Sequence, residues 1–407
     1  MSEFSALTPI RELPDPFLRA DGSRVTSPEE WPAQREYLKG LLTKWMYGSV
    51  PPAPGNTAGQ VLRSGFLYGG LALREQVRIT FGPGLSFEAE VTRPLTNEPV
   101  PVIVQNGWKG RLQCPDEEEI VVNRGYAVAA FDREQLAKDG PEGIDGPLAK
   151  AYPGYGWGEI AMWGWLQSRV IDWLETTAWA DMKRVIVTGH SRCGKAALWC
   201  GIYDGRAAVC AVNGSGCGGV GCYRYLGGRL GEGTAVCETA GSMEDLFPYW
   251  WCDGFGAFGD RSLGFTRSSC REMPATEEAA RQARFGTTAH EELMPFDGHT
   301  ARLLVAPRAI ISTDALGDVW ANPYGCQLNW RAAQEVYDFL GVPKRNAMHY
   351  REGGHDFQPT DWRALTDFAR GVFTGEVPAS NTVYGPEEES PRDWRCERYH
   401  YSWRRPE

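Results

Sequence analysis

From residue 99 onward the chain alternates short apolar runs with stretches of helical periodicity. No other feature restricts its fold as much. The segments "PVPVIVQNG" (99–107), "YAVAAFD" (126–132), "RVIVTG" (184–189), "AAVCAVNGSG" (207–216), "LLVAPRAIIST" (303–313) and "AMHYREGGH" (347–355) read as buried strands. Helices are predicted over 158–175, 193–203, 328–340 and 361–373. Apolar strands alternating with helices need a mostly parallel sheet covered on both faces, because neither face can meet water. Upstream, 27–48 reads as a helix with Ser27 at its N-cap, Pro28 in its first turn and Gly48 at its end. The stretch 71–94 reads as two antiparallel strands around the turn at 82–84. The expected architecture is one α/β domain over 1–407, a three-layer sandwich with a mostly parallel central sheet. The Gly- and aromatic-rich segment 216–302 interrupts the alternation and is predicted to be a cap-like insertion. The tail 375–407 is polar, but Trp394, Tyr399, Tyr401 and Trp403 predict that it packs.

The stretch "VIVTGHSRCGKAALW" (185–199) is a β-branched run, a Gly-containing turn and the start of a helical stretch. Two chemistries use that shape. Gly189 to Lys195 fits G-x-x-x-x-G-K of a phosphate-binding loop, but the residue after the lysine is Ala196. A phosphate loop needs a hydroxyl there to ligand magnesium. The alternative is a nucleophile elbow that presents Ser191. A serine needs a base and an orienting acid, and in α/β-hydrolases they follow in the order Ser, acid, His on loops after late strands. His355, one of six histidines, follows the last predicted strand, and "STDALGDVWANP" offers Asp314 and Asp318 after the strand before it. Ser191, Asp318 and His355 satisfy the order. The second glycine of the elbow, Gly194, falls one place later than in G-x-S-x-G. Ser191 alternatively caps the helix, as serines favour that position. Lys195 lies about one helical turn beyond Ser191, so both can face one cleft, unless Lys195 is a solvated surface residue. Arg192 alternatively pairs with a buried carboxylate, and Trp320 alternatively belongs to the core.

Composition removes other classes. The 407 residues are 42% apolar and 23% charged, which is globular. A net charge of -10 argues against nucleic acid, which rewards clustered Lys and Arg. No apolar run is long enough to cross a membrane. As written, the N-terminus lacks a secretion signal and predicts a cytoplasmic protein, or a secreted one if the sequence is a mature form. Eleven cysteines without a C-x-x-C pair or zinc-finger spacing predict reduced, buried thiols, with no metal and no cofactor. Sixteen tryptophans suit a core and also a carbohydrate-facing cleft. Gly216, Gly218 and Gly221 spell G-x-G-x-x-G, but no helical pattern follows them directly. His299 precedes the strand that carries Asp318, so it is expected to fix the junction of cap and core. His190 is expected to point away from Ser191.

At these residues the sequence resembles carbohydrate esterase family 15, the glucuronoyl esterases, and particularly its bacterial branch. The stretch 163–224 looks like that family nearly throughout, and G-x-S-R-x-G-K is its signature, which explains the displaced glycine. "CETAGSMEDLFPYWWC", "MPFDGHTARLLVAPRAIIST", "GDVWANPYG" and "GGHDFQPTDW" are also similar, as are "LPDPF", "DGSRV" and "YGSVPP". The likeness runs over roughly residues 10 to 375 and implies an α/β-hydrolase that cleaves esters of 4-O-methyl-glucuronic acid, such as those joining xylan to lignin alcohols. It implies Ser191 as nucleophile, His355 as base and Asp318 as acid, with Arg192 in the oxyanion hole. It implies that Lys195, Glu238 and Trp320 bind the sugar. Some members place the acid after the strand that follows the nucleophile helix; that position here is Gly214. The competing expectations are an esterase of another sugar ester, such as an acetylated xylo-oligosaccharide, and a catalytically silent carbohydrate-binding relative.

Overall fold

A computed structural model describes residues 7–108, 114–226, 229–230, 234–235, 237–259, 290–377, 383–384 and 401–406. The strands are β1 (Ala58–Leu67), β2 (Ala72–Phe81), β3 (Leu85–Pro94), β4 (Val100–Gly107), β5 (Ala127–Asp132), β6 (Ala180–His190) and β7 (Ala207–Asn213). A two-residue pair follows, β8 (Arg229–Leu230) and β9 (Thr234–Ala235), then β10 (Ala309–Ala315), β11 (Asn346–Arg351) and β12 (Val383–Tyr384). Ten of them form one sheet in the order β1-β2-β3-β5-β4-β6-β7-β10-β11-β12. From β5 to β12 every neighbouring pair is parallel, while β1, β2 and β3 run antiparallel at one edge.

The helices are α1 (Trp31–Leu42), α2 (Pro147–Ala151), α3 (Glu159–Leu174), α4 (Arg192–Tyr203), α5 (Ala240–Leu246), α6 (Gly298–Leu303), α7 (Pro323–Phe339) and α8 (Pro359–Thr374). Side chains alternate along each strand, so one strand feeds two cores. On β6, Val185 and Val187 pack into the layer that holds α3 and α4. Ile186 packs the other way, with Trp362, Leu365 and Phe368 of α8. Both faces of the central strands are thereby dry, and each such Val or Ile contributes roughly 1.5–3 kcal/mol by leaving water. That is why these strands read as continuous apolar runs.

The structure corrects the sequence reading in three places. Residues 303–313 are not one strand. Leu303 ends α6, Leu304 and Val305 are buried in the turn that follows, and β10 begins only at Ala309. The side chain of Asp297 accepts from the Gly298 N–H, and the Thr300 hydroxyl bonds back to the Asp297 N–H, so a capping box sets the helix. Helix α7 starts at Pro323 rather than 328, capped by the Asn322 side chain on the Gly325 N–H at 3.1 Å. β1 has no counterpart in the reading, because almost every residue in it is exposed and it pairs only with β2. A strand without a core face carries no alternation to detect. Of the tail aromatics, Tyr401 and Trp403 are buried, and Trp403 Nε1 donates to the Leu13 carbonyl at 2.7 Å. Trp394 and Tyr399 lie outside the described residues, as do 260–289 and other parts of the 216–302 segment.

Candidate active site

The C-terminal ends of β6, β7, β10 and β11 lie side by side, and the candidate residues stand on the loops that leave them. Ser191 links β6 to α4 with φ 56° and ψ −125°. An L-residue avoids that conformation, and it persists because its surroundings fix it. The Ser191 N–H donates to the Asn213 carbonyl at 2.8 Å, which ties the turn to the end of β7. A Cβ on Gly189 would stand 2.3 Å from the Cys193 carbonyl oxygen. One on Gly194 would meet the Gly189 and Asn213 carbonyls at 3.0 and 3.1 Å. The late glycine therefore lets α4 sit close on the strands that it follows. Ser191 precedes the helix but makes no side-chain capping bond, so the capping alternative fails and the hydroxyl is left for other work.

Asp318 and His355 follow neighbouring parallel strands. The Leu316 N–H donates to the Arg351 carbonyl at 2.9 Å and Gly317 to Gly353 at 3.1 Å, which clips the two loops together. Asp318 is 5% exposed, and its Oδ2 lies 2.6 Å from His355 Nδ1. Its Oδ1 accepts from the Ala321 N–H at 3.4 Å, so the carboxylate also caps a short turn. The His355 side chain is 36% exposed and opens to solvent. A Cβ on Gly214 would stand 3.5 Å from His355 Nδ1 and 3.4 Å from Asp318 Oδ2. A carboxylate carried at 214 would thus address the nitrogen that Asp318 holds here. Asp314 lies deep in β10, where burial pushes its carboxyl up to about 7 against the opposing pull of Arg302.

Lys195 is not a solvated surface lysine: it is 1% exposed. Its Nζ donates to the Ser215 carbonyl at 2.6 Å and to Glu238 Oε2 and Oε1 at 2.9 and 3.1 Å. Burial raises the Glu238 carboxyl above its ordinary range and the lysine offsets only part of that. The Glu238 N–H donates to the Trp320 carbonyl at 2.9 Å, so the acid-loop tryptophan and the glutamate are neighbours. Trp320 is half-buried against the main core. Of the G-x-G-x-x-G glycines, Gly216 takes φ 53° with Glu238 directly over it, Gly218 lies under the Trp251 ring and Gly221 packs on the Gly216 backbone. Arg192, the first residue of α4, is partly exposed. Its Nη1 donates to Asp139 Oδ2 at 2.7 Å and its guanidinium lies 4.7 Å from the Trp250 ring centre.

Two further histidines have defined partners. His190 is turned onto His355, with ring centres 4.5 Å apart. Its Nδ1 shares a 2.5 Å hydrogen bond with Asn213 Oδ1. Burial and the neighbouring His355 lower it to about 4, so it is neutral beside the base. His299 is fully buried, bonds the Pro14 carbonyl at 2.9 Å and stacks near Trp403. It ties α6 to Pro14 and Trp403. All nine cysteines among the described residues are buried. Among those residues, no group of three or more His, Cys, Asp or Glu could hold a metal ion, and no helix is long and apolar enough to cross a membrane.

The family model described as "Glucuronyl esterase, fungi" matches residues 79–264. Carbohydrate esterase MZ0003, from an unknown prokaryotic organism, is 28% identical, over 91% of this chain and 91% of that protein. A 4-O-methyl-glucuronoyl methylesterase of Phanerochaete carnosa is 26% identical, over 93% of this chain and 87% of its own. Among solved structures, a carbohydrate esterase family 15 glucuronoyl esterase from Caldicellulosiruptor kristjansonii is similar. It superposes with a TM-score of 0.70 at 28% identity, covering 92% of this chain and 94% of that one.

Proposed function

We propose that this chain, which belongs to carbohydrate esterase family 15, is a serine esterase that hydrolyses esters of glucuronic acid or its 4-O-methyl ether. The observation that carries the mechanism is the 2.6 Å contact of Asp318 with His355 Nδ1 on loops beside the strained Ser191 turn. With Nδ1 engaged by the carboxylate, Nε2 is the nitrogen left to take the Ser191 proton. Ser191 Oγ attacks the uronate carbonyl, and the oxyanion meets the first N–H groups of α4 and the Arg192 side chain. The tetrahedral species expels the alcohol, which takes the proton from His355. Water then repeats the sequence on the acyl-enzyme and releases glucuronate.

Specificity is assigned to the acid portion. Lys195, Glu238 and Trp320 together offer a cation, a carboxylate and an indole, groups that donate to, accept from and stack on a hydroxylated ring. A site that hydrogen-bonds hydroxyls rejects ligands that lack them, since its polar groups are otherwise left unpaired. We read the segment 216–302, which supplies Glu238, as a cap over that sugar. The test is a panel of methyl and benzyl glucuronates against acetylated sugars and simple alkyl esters. Glucuronates should dominate, with the alcohol mattering less than the acid. Faster hydrolysis of sugar acetates would give the site to another ester, and absence of labelling by a reactive-serine probe would make it a silent binding relative.

A further inference from the structure

Arg192 does not stand alone. Asp139, on the loop after β5, accepts from Arg192 Nη1 at 2.7 Å and from Arg133 Nη2 at 2.6 Å, both on Oδ2. Its Oδ1 accepts from Trp250 Nε1 at 2.8 Å. The Trp250 ring lies 4.7 Å below the Arg192 guanidinium and is itself stacked on Phe247 at 3.8 Å, nearly parallel. Carboxylate, indole and guanidinium thus close a triangle in which each member fixes the other two.

The anchor of the triangle is rigid. Arg133 is completely buried, and its guanidinium lies 4.8 Å from the Trp163 ring centre. It bonds Cys193 Sγ at 3.4 Å and has Glu134 at 3.4 Å as a second carboxylate. Asp139 is therefore held by a fully buried, multiply bonded side chain, while Arg192 is 29% exposed at the cleft. Burial works to raise the Asp139 carboxyl, but the two arginines and the Trp250 and Arg133 hydrogen bonds outweigh it and keep it below its ordinary range.

We infer that Asp139 is a positioning residue for Arg192, holding its guanidinium over Trp250 so that a donor is in place before the oxyanion forms. This rests on the reading of Arg192 as an oxyanion donor. A free arginine at a cleft samples many rotamers, and freezing it only in the transition state would cost rate. Releasing that restraint is expected to lower kcat about 30-fold, equivalent to about 2 kcal/mol at about 1.36 kcal/mol per decade. Deleting the donor itself should cost about 10²–10³-fold.

The test is a cycle on benzyl glucuronate with wild type, Asp139→Asn, Arg192→Met and the double variant, reading kcat and KM separately and melting temperature alongside. The expected result is a kcat loss for Asp139→Asn with KM little changed, and no further loss when it is added to Arg192→Met. An equal loss in both backgrounds would make Asp139 a support of the fold and overturn the inference. So would an unchanged kcat in Asp139→Asn beside a damaged Arg192→Met. An undamaged Arg192→Met would instead remove the oxyanion reading on which the inference stands. If Asp139→Asn does not fold, Trp250→Phe leaves an aromatic ring under Arg192 and removes the donor to Asp139. The same comparison in the two backgrounds then decides.

Discussion

Replacing Asp318 by Asn keeps the shape of the acid loop and removes one charge. In the native chain the carboxylate is 5% exposed with Oδ2 at 2.6 Å from His355 Nδ1. When the imidazole takes the serine proton, its charge lies about 4 Å from that carboxylate. Unit charges at that separation attract by about 4 kcal/mol at an effective dielectric of about 20. At about 1.36 kcal/mol per decade the lost attraction is worth about three decades in kcat. The partial exposure of His355 reduces this, while a second effect adds to it. The new amide can donate to Nδ1 and so leave the ring proton on Nε2, the nitrogen that must be bare to receive the Ser191 proton. The expected loss is roughly 10³–10⁴, the upper end matching the same change in a serine protease. Asp314→Asn is the control. Burial already brings Asp314 up to about 7, so near neutral pH about half of that carboxyl is in the acid form that Asn resembles, and Asn costs it less charge than it costs Asp318. The assay is kcat on benzyl glucuronate at saturation for both variants, with unfolding followed alongside. Near-native turnover in Asp318→Asn, or a larger loss in Asp314→Asn, would refute the assignment.

Ser191→Gly should abolish turnover and yet stabilise the protein by about 1 kcal/mol, because glycine accepts the φ of 56° that serine resists. Denaturant unfolding checks this, and a lower midpoint would mean that the turn stores no strain. Lys195→Met should slow glucuronate hydrolysis far more than that of a small acetate and should destabilise the chain, since Glu238 is left buried without its cation. Adding Glu238→Gln should restore stability without activity; equal losses on both substrates would assign Lys195 to the catalytic machinery. His299 is depressed from 6.5 to about 4 by burial. Its contribution to stability is complete above the unfolded value of 6.5 and is lost as pH falls toward 4, by up to about 3 kcal/mol. His299→Gln should flatten the melting temperature against pH across that window, and an unchanged acid limb would show that His299 is not its source. Turnover should persist in a chelator, and a strict metal requirement would overturn the serine mechanism.

The proposed triad could be located in the sequence because each member obeys a local rule. Ser191 follows a β-branched strand through a glycine turn, and Asp318 and His355 leave strands that pair in the sheet. Chain order on a parallel sheet fixes which loops share an edge, so Ser191, Asp318 and His355 could be named from their places after β6, β10 and β11. The residues proposed to bind the sugar and the oxyanion were reached through family likeness, and their partners were not visible in spacing at all. Asp139 lies 53 residues before Arg192 and Glu238 lies 43 after Lys195. Nothing local requires either pair to meet. Whether Lys195 faced the cleft or stood in water was open in the same way, and the contact of His190 with His355 was not visible in spacing. Periodicity reports how a side chain meets its own element, and those contacts repeat along the chain. A contact between side chains on different loops repeats nowhere. It exists only once the sheet has set the loop ends at fixed distances, and only packing decides which charged group ends beside which.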